Sequence, residues 1–236
     1  VDIRFSTTAP PAREAKTASA HPTFAVYAHR HAQVAAEAWL GAAVGKTNVV
    51  LLNLDAPISA GLLVDGRVLH GAGDLAGAAG FLSLSETQKD EYATHGALAF
   101  EASDAALVRR TLEQWTADSD SLLSQLTLSD PLQLTAETVL RAARGGDPLA
   151  LGVVQETCGW VARAIANLVT LLNPETVVLG GAFGLRLKPF LSDIRRAVKQ
   201  TAAPDNAKQC QIVSAKLGDQ ASLIGAARLA WTKVER

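Results

Sequence analysis

The stretch from Asn173 to Gly181, NPETVVLGG, has the makings of a phosphate-binding turn: a helix stop, an apolar strand, then a glycine pair. Glycine lets a ligand approach the backbone closely, and free N–H groups at the start of a following helix can hold phosphate. A glycine pair behind a strand is more often just a tight turn, so Gly180 and Gly181 are candidates only through their company. That company is Ser214 to Ala227, SAKLGDQASLIGAA, which offers a strand, Gly218-Asp219 and a glycine-bearing helix. Its plain reading is a loop followed by an N-cap. Histidine can move protons near neutral pH. One histidine is not a site, and His21, His31, His70 and His95 read as surface-loop residues. Cys158 and Cys210 are far apart, and two thiols cannot close a four-ligand zinc site. No metal site is expected.

Such groups need a frame. The 236 residues are 48% hydrophobic and 19% charged, an ordinary globular composition. A net charge of −1 gives no global field for nucleic acid, so a DNA-binding surface must be local or on a segment outside this sequence. No apolar run is long enough to span a bilayer, and no signal peptide opens the chain. The cysteine usage fits a reducing compartment, so a cytoplasmic location is expected. The chain starts at Val1 and contains no methionine, so it is expected to be a fragment or a processed form.

Residues 7–22 are rich in Ala, Thr and Pro and read as a linker. An Ala-rich helix is expected from Arg30 to Ala43 and a buried strand from Asn48 to Leu54. Asp65-Gly66 between two apolar runs predicts a hairpin of Ser59–Val64 with Arg67–Leu69. The glycine-rich 71–80 reads as loop. Helices follow at 104–117 and 136–144, the second stopped by Gly145-Gly146. The clearest helix runs from Pro148 to Leu172, with Val161, Ile165, Leu168, Val169 and Leu172 on one stripe. A strand at Thr176–Leu179, a helix at 188–200 with Pro189 in its first turn, and a strand at Gln211–Ala215 come next. A last helix, capped by Asp219, reaches Trp231. Strands alternating with helices make this an α/β chain.

Taken together, these segments resemble the ROK family (repressor, open reading frame, kinase). The similar stretches are YAHRHAQVAAEAWLGAAVG (Tyr27 to Gly45), AGLLVDGRVLHGAGDLAGAAGF (Ala60 to Phe81), ANLVTLLNPETVVLGG (Ala166 to Gly181) and AKLGDQASLIGAA (Ala215 to Ala227). The likeness covers about 22–232, in the family's order. It implies an actin-like ATPase (ribonuclease H-like) α/β fold of two lobes with an incomplete N-terminal lobe. Residues 1–47 would be the remnant of that lobe and its linking helix, 48–216 the C-terminal lobe, and 217–236 a terminal helix returning toward the N-terminal lobe. A homodimer through the C-terminal lobe is also implied.

Carried over residue by residue, the resemblance implies lost kinase chemistry. The family's sugar-holding Asn and catalytic Asp fall on Ala28 and His29, and His29 also reads simply as a helix-start surface residue. The glycine-rich phosphate loop falls on Asp55-Ala56-Pro57-Ile58-Ser59. There a carboxylate would repel phosphate, and Pro57 has no N–H to give. The sugar-binding Glu falls on Ala78, and a His that binds sugar or zinc falls on Phe81. The zinc-binding cysteines have no counterpart between Leu82 and Leu107. At the N-terminus, Val1-Asp2-Ile3 resembles the start of the family's first phosphate motif, but Arg4, Phe5 and Ser6 replace its glycines and threonine. The expectation is a ROK regulator's effector and dimer domain with no catalytic residue and no cofactor. Its ligand-binding surface would be His29, Asp55, Ala78, Phe81, Gly180, Gly181 and Gly218. Its partners would be a second copy and a sugar or sugar-phosphate effector, with DNA reached only through a segment outside this sequence and no membrane. The alternatives are an ATP-dependent, glucokinase-like sugar kinase and a ligand-free scaffold of the same fold.

Overall fold

The computed structural model describes residues 3–6, 25–85, 89–116 and 121–234. The linker expected at 7–22 and the residues Val1 and Asp2 lie outside these. Two parallel strands, β1 (Ile3–Ser6) and β2 (Ala25–Ala28), lead into helix α1 (His29–Trp39). An antiparallel meander follows, made of β3 (Val49–Asn53), β4 (Ser59–Val64) and β5 (Arg67–Val68). Next come α2 (Asp90–His95), α3 (Ala97–Ala102), α4 (Asp104–Gln114), α5 (Leu122–Thr127), α6 (Ala136–Arg144) and α7 (Pro148–Leu172). The chain then runs through β6 (Thr176–Gly180), α8 (Gly181–Arg186), α9 (Leu191–Thr201), α10 (Pro204–Gln209), β7 (Gln211–Ser214) and α11 (Ala221–Val234). The main sheet has the order β5-β4-β3-β6-β7, with β6 parallel to both of its neighbours.

Side chains alternate along a strand, and both faces of this sheet are covered. Val50 and Leu52 of β3 enter a large core with Val161 and Ile165 of α7, whereas Val49 and Leu51 join Val34 of α1 in a smaller one. β6 repeats the division, with Val177 and Leu179 on the α7 side and Val178 on the α1 side. Continuous burial is why both strands read as unbroken apolar runs. Between β4 and β5, Asp65 and Gly66 both have positive φ, 48° and 74°, as the type I′ turn requires. Helix α7 is bounded by its own sequence. The Asp147 carboxylate accepts from the Ala150 N–H at 2.9 Å, Pro148 takes the first turn, and Asn173 ends the helix at φ 45°.

Several expected boundaries are corrected. α1 stops at Trp39 rather than Ala43, because the Glu37 carboxylate folds over the last turn and takes the Ala42 N–H at 2.6 Å. The fourth helix ends at Gln114. Pro189 lies in a 3-10 turn, Lys188–Phe190, that precedes α9. Asp219 is no N-cap: it sits inside the 3-10 turn Gly218–Gln220, and α11 starts at Ala221. The 71–80 segment is not plain loop, since 3-10 turns form at Ala72–Asp74 and Ala79–Phe81. Helices α2, α3, α5, α8 and α10 were not anticipated, and each has only 6 residues, too few to show a period.

The helical layer is pinned by a buried carboxylate. Glu101, 2% exposed, accepts from Lys89 Nζ at 2.6 Å, Tyr92 OH at 2.7 Å and Arg110 Nη2 at 2.7 Å. Arg110 goes on to Thr157 of α7 at 2.9 Å. Burial alone would raise the Glu101 pKa, but the bonds from Lys89, Tyr92 and Arg110 outweigh it and hold the carboxyl down to about 2. An unfolded Glu titrates near 4.5, so this stabilisation is complete above that pH and is lost as pH falls toward 2. We expect acid titration of the folded protein to remove about 3 kcal/mol through this group, and Glu101→Gln to flatten that part of the profile. Chemical denaturation at pH 6, 4 and 3 checks this, and an equally steep profile in the variant would refute it.

Candidate functional site

The site is built where β3 and β6 end side by side and α1 crosses behind them. Asn53, the last residue of β3, pairs in register with Gly180, the last of β6. Its amide donates to Gln33 Oε1 of α1 at 2.9 Å, and its Oδ1 accepts from the Asp55 N–H at 2.8 Å. Asp55 then reaches the start of α8: its Oδ2 accepts from the Ala182 N–H at 2.9 Å and its Oδ1 from the Phe183 N–H at 3.1 Å. The amides that the NPETVVLGG turn could have offered to phosphate are therefore taken by the protein's own carboxylate. Gly181 is required here, with φ 84°, because a Cβ would lie 2.4 Å from Asn53 Oδ1. Gly180 has extended backbone, and its role is contact with Leu51 and Ala215 rather than conformational freedom.

His29 opens α1 and is half-buried. Burial lowers its pKa and the nearby Asp55 charge pulls the other way, with a net lowering. Near neutral pH the ring is neutral, a form that can accept a proton but brings none of a carboxylate's charge. Ala28, before it, is buried and ends β2. The 3-10 turn that holds Gly218 packs against α8, so Gly180, Gly181, Asp55 and Gly218 gather around one helix start. Ala78 and Phe81 lie on a loop laced to the end of the 55–59 segment, through Ala60 N–H to Gly77 O at 2.7 Å and Gly80 N–H to Ile58 O at 3.0 Å. Phe81, 59% exposed, turns to a separate shallow cleft with Ser83, Lys89 and Tyr92, which none of the other expected site residues lines.

Two features escaped the sequence reading. Glu37, inside the AEAW stretch, is fully buried. Its Oε1 accepts from the Lys216 and Leu217 N–H groups at 3.0 and 2.9 Å, while Oε2 holds Ala42. The resemblance over Tyr27 to Gly45 covers this position without giving it a role. The second feature is a correction. His31 lies within α1 and is 1% exposed, not on a surface loop, His70 and Asp74 lie on the loop after β5, and one ligating atom from each of the three lies within 4.8 Å of the others. His95 ends helix α2, and His21 lies outside the described residues.

A mixed sheet between a helical layer and a crossing helix, with glycine turns at the ends of parallel strands, is the architecture of a sugar-kinase-type, actin-like ATPase fold. The ROK family model matches residues 15–233, and the chain belongs to the ROK family. It is 31% identical over 191 residues to a glucokinase of Halalkalibacterium halodurans, covering 80% of this chain and 58% of that one. It is 28% identical over 198 residues to the DNA-binding transcriptional repressor Mlc of Escherichia coli, covering 81% and 46%. A solved ROK family transcriptional regulator, a homologue of the E. coli Mlc protein, superposes with a TM-score of 0.76 at 26% identity, over 86% of this chain and 50% of that one. The chain thus spans about half the length of the relatives it matches. Among the described residues no helix is long and apolar enough to cross a membrane.

Because Glu37 ties α1 to the α11 entry, Glu37→Ala would leave N–H groups unpaired in a region water reaches poorly. We expect it to cost about 3 kcal/mol, with Glu37→Gln costing less because it keeps one acceptor oxygen. Urea midpoints of the two variants test this, and equal midpoints with the parent would refute it.

Proposed function

We propose that this chain is the sugar-kinase-like effector-binding and dimerisation module of a ROK transcriptional regulator, and that it does not transfer phosphate. The observation that carries this reading is the Asp55 carboxylate on the Ala182 and Phe183 amides. Phosphoryl transfer depends on positioning and on stabilising charge on the moving phosphoryl group. A nucleotide arriving here would have to displace two charge-assisted hydrogen bonds and then sit beside the displaced carboxylate. Pro57 adds no N–H to the neighbouring loop. The neutral His29 stands where the family has its base. In this reading the effector is a sugar or sugar phosphate, the second partner is another copy of the chain, and DNA is met through a segment outside this sequence. Similarity to the Mlc repressor and to the solved regulator supports the same class.

The competing reading, an ATP-dependent sugar kinase, draws on the glucokinase relative. It would need His29 as base and a conformation in which Asp55 leaves α8. A ligand-free scaffold would bind neither sugar nor nucleotide. A coupled assay with ATP, Mg²⁺ and a hexose panel, together with calorimetry against the same sugars and their phosphates, separates the three. The expected result is no turnover, binding of a sugar or sugar phosphate, and a dimer by sedimentation. Enzyme-like turnover would overturn the proposal. Asp55→Gly is expected to tighten binding of a non-hydrolysable ATP analogue at least roughly tenfold by freeing the two amides. Unchanged analogue binding would remove Asp55 as the reason.

A further inference from the structure

Beside the glycine-rich loop, three potential ligands converge from separate parts of the chain. His31 is on α1, His70 follows β5, and Asp74 closes the 3-10 turn Ala72–Asp74. His70 Nδ1 and Asp74 Oδ1 are 2.8 Å apart. The His31 and His70 rings meet edge to face, with centroids 4.6 Å apart at 73°. His31 is almost wholly buried, and its Nε2 has no hydrogen-bond partner among the described residues. A buried polar atom without a partner costs about 1–3 kcal/mol, and its presence in a folded core asks for an unseen partner. The surroundings narrow the choice of partner. The two neighbouring groups are another imidazole and a carboxylate, a donor set suited to a divalent transition ion.

We propose that His31, His70 and Asp74 form a binding site for a divalent transition metal of the zinc type, with two imidazoles and one carboxylate as ligands and water completing the shell. The ligand geometry is partly set in advance. Arg30 Nη2 donates to the Asp74 carbonyl at 2.6 Å and Arg30 Nε donates to the Ala76 carbonyl, which fixes the loop against α1. Burial, together with the charges of His70 and Arg30, holds His31 well below the usual histidine range, at about 4, despite opposing pulls from Asp74 and the Ala76 backbone. A neutral imidazole is the form that ligates. Access is open on the other side, where the His70 side chain is 44% exposed and that of Asp74 20%. The Arg30 charge opposes a cation, so the affinity is expected to be moderate. None of the three residues is at Phe81, the position to which the resemblance assigns a zinc or sugar ligand, so this site does not depend on the regulator reading. A bound ion would join the loop bearing Ala78 to the helix bearing His29.

The test uses the whole chain, stripped with a chelator and titrated with Zn²⁺ by calorimetry and with Co²⁺ by visible absorption. One equivalent is expected to bind, with d–d bands that report nitrogen and oxygen ligands and a rise in melting temperature. His70→Ala and Asp74→Asn, at solvent-reached positions, are expected to weaken binding by roughly tenfold or more while leaving the circular dichroism unchanged. His95→Ala, on α2, is expected to bind as the parent does. No stoichiometric uptake would overturn the proposal. So would uptake that survives both His70→Ala and Asp74→Asn, or uptake that is lost in His95→Ala.

Discussion

A buried carboxylate that has no cationic partner among the described residues holds the junction of this structure together. Glu37 is withdrawn from water, which costs several kcal/mol for an ion unless hydrogen bonds replace its hydration. Three backbone N–H groups do so, from Ala42, Lys216 and Leu217. Their places in the chain give the bond its reach: Ala42 belongs to the turn after α1, and the other two belong to the linker between β7 and α11, some 180 residues away. One side chain therefore sets how α1 lies against the sheet edge and against α11. Gly41 leaves room for it, since a Cβ there would sit 2.0 Å from Glu37 Oε2. Gly225 completes the junction by letting α11 come so near α1 that a Cβ would meet the Ala32 carbonyl at 1.7 Å. Every group that α1 carries toward the site, His29, His31 and Gln33, depends on this seating.

The same physics recurs at Asp55 with a different consequence. Again an anion meets a cluster of backbone N–H groups, and again the cluster is satisfied from within the chain. The donors at Glu37 are scaffold. Those at Asp55 open α8, next to the Gly180-Gly181 turn. Fold alone does not decide between kinase and regulator, since one architecture hosts both and both kinds of relative are found. What distinguishes the two is the chemistry of a few side chains, and the proposed regulator role rests on one of them, the Asp55 carboxylate.

What the sequence disclosed, and what it hid, follows from the range of the interactions. Helix α7 was legible because its cap, its stripe and its stop are all local. So was the Asp65-Gly66 turn, which two positive φ angles enforce. The short helices were hidden, because six residues cannot display a 3.6-residue period, and their form is set by packing. The family likeness sets Asp55 where a glycine is usual, and the expected repulsion of phosphate follows from that likeness. The bonds of Asp55 were not legible, because Ala182 and Phe183 lie 127 and 128 residues further along. His31 and His70 read as isolated for the same reason, although in the fold their rings touch. Glu37 showed only as a residue within AEAW, since nothing in that stretch reveals amides arriving from residues 216 and 217.

The polar groups at the site form a closed series: Gln33 to Asn53, Asn53 to Asp55, Asp55 to the amides of α8. A ligand entering such a series finds few vacancies and must exchange one set of bonds for another. Each exchange subtracts from binding, and most of all for a phosphate, which would then sit beside the displaced carboxylate. In the regulator reading, an uncharged effector group that bonded the α8 amides in place of Asp55 would make contacts in one state that it lacked in the other, and such a difference is the quantity that moves a conformational equilibrium. Asp55 would remain linked to α1 through its backbone N–H, Asn53 and Gln33, and α1 to the linker that enters α11 through Glu37. Binding at the glycine turn would thus be felt at α1 and at the entry to α11, through side-chain and backbone groups already bonded in series.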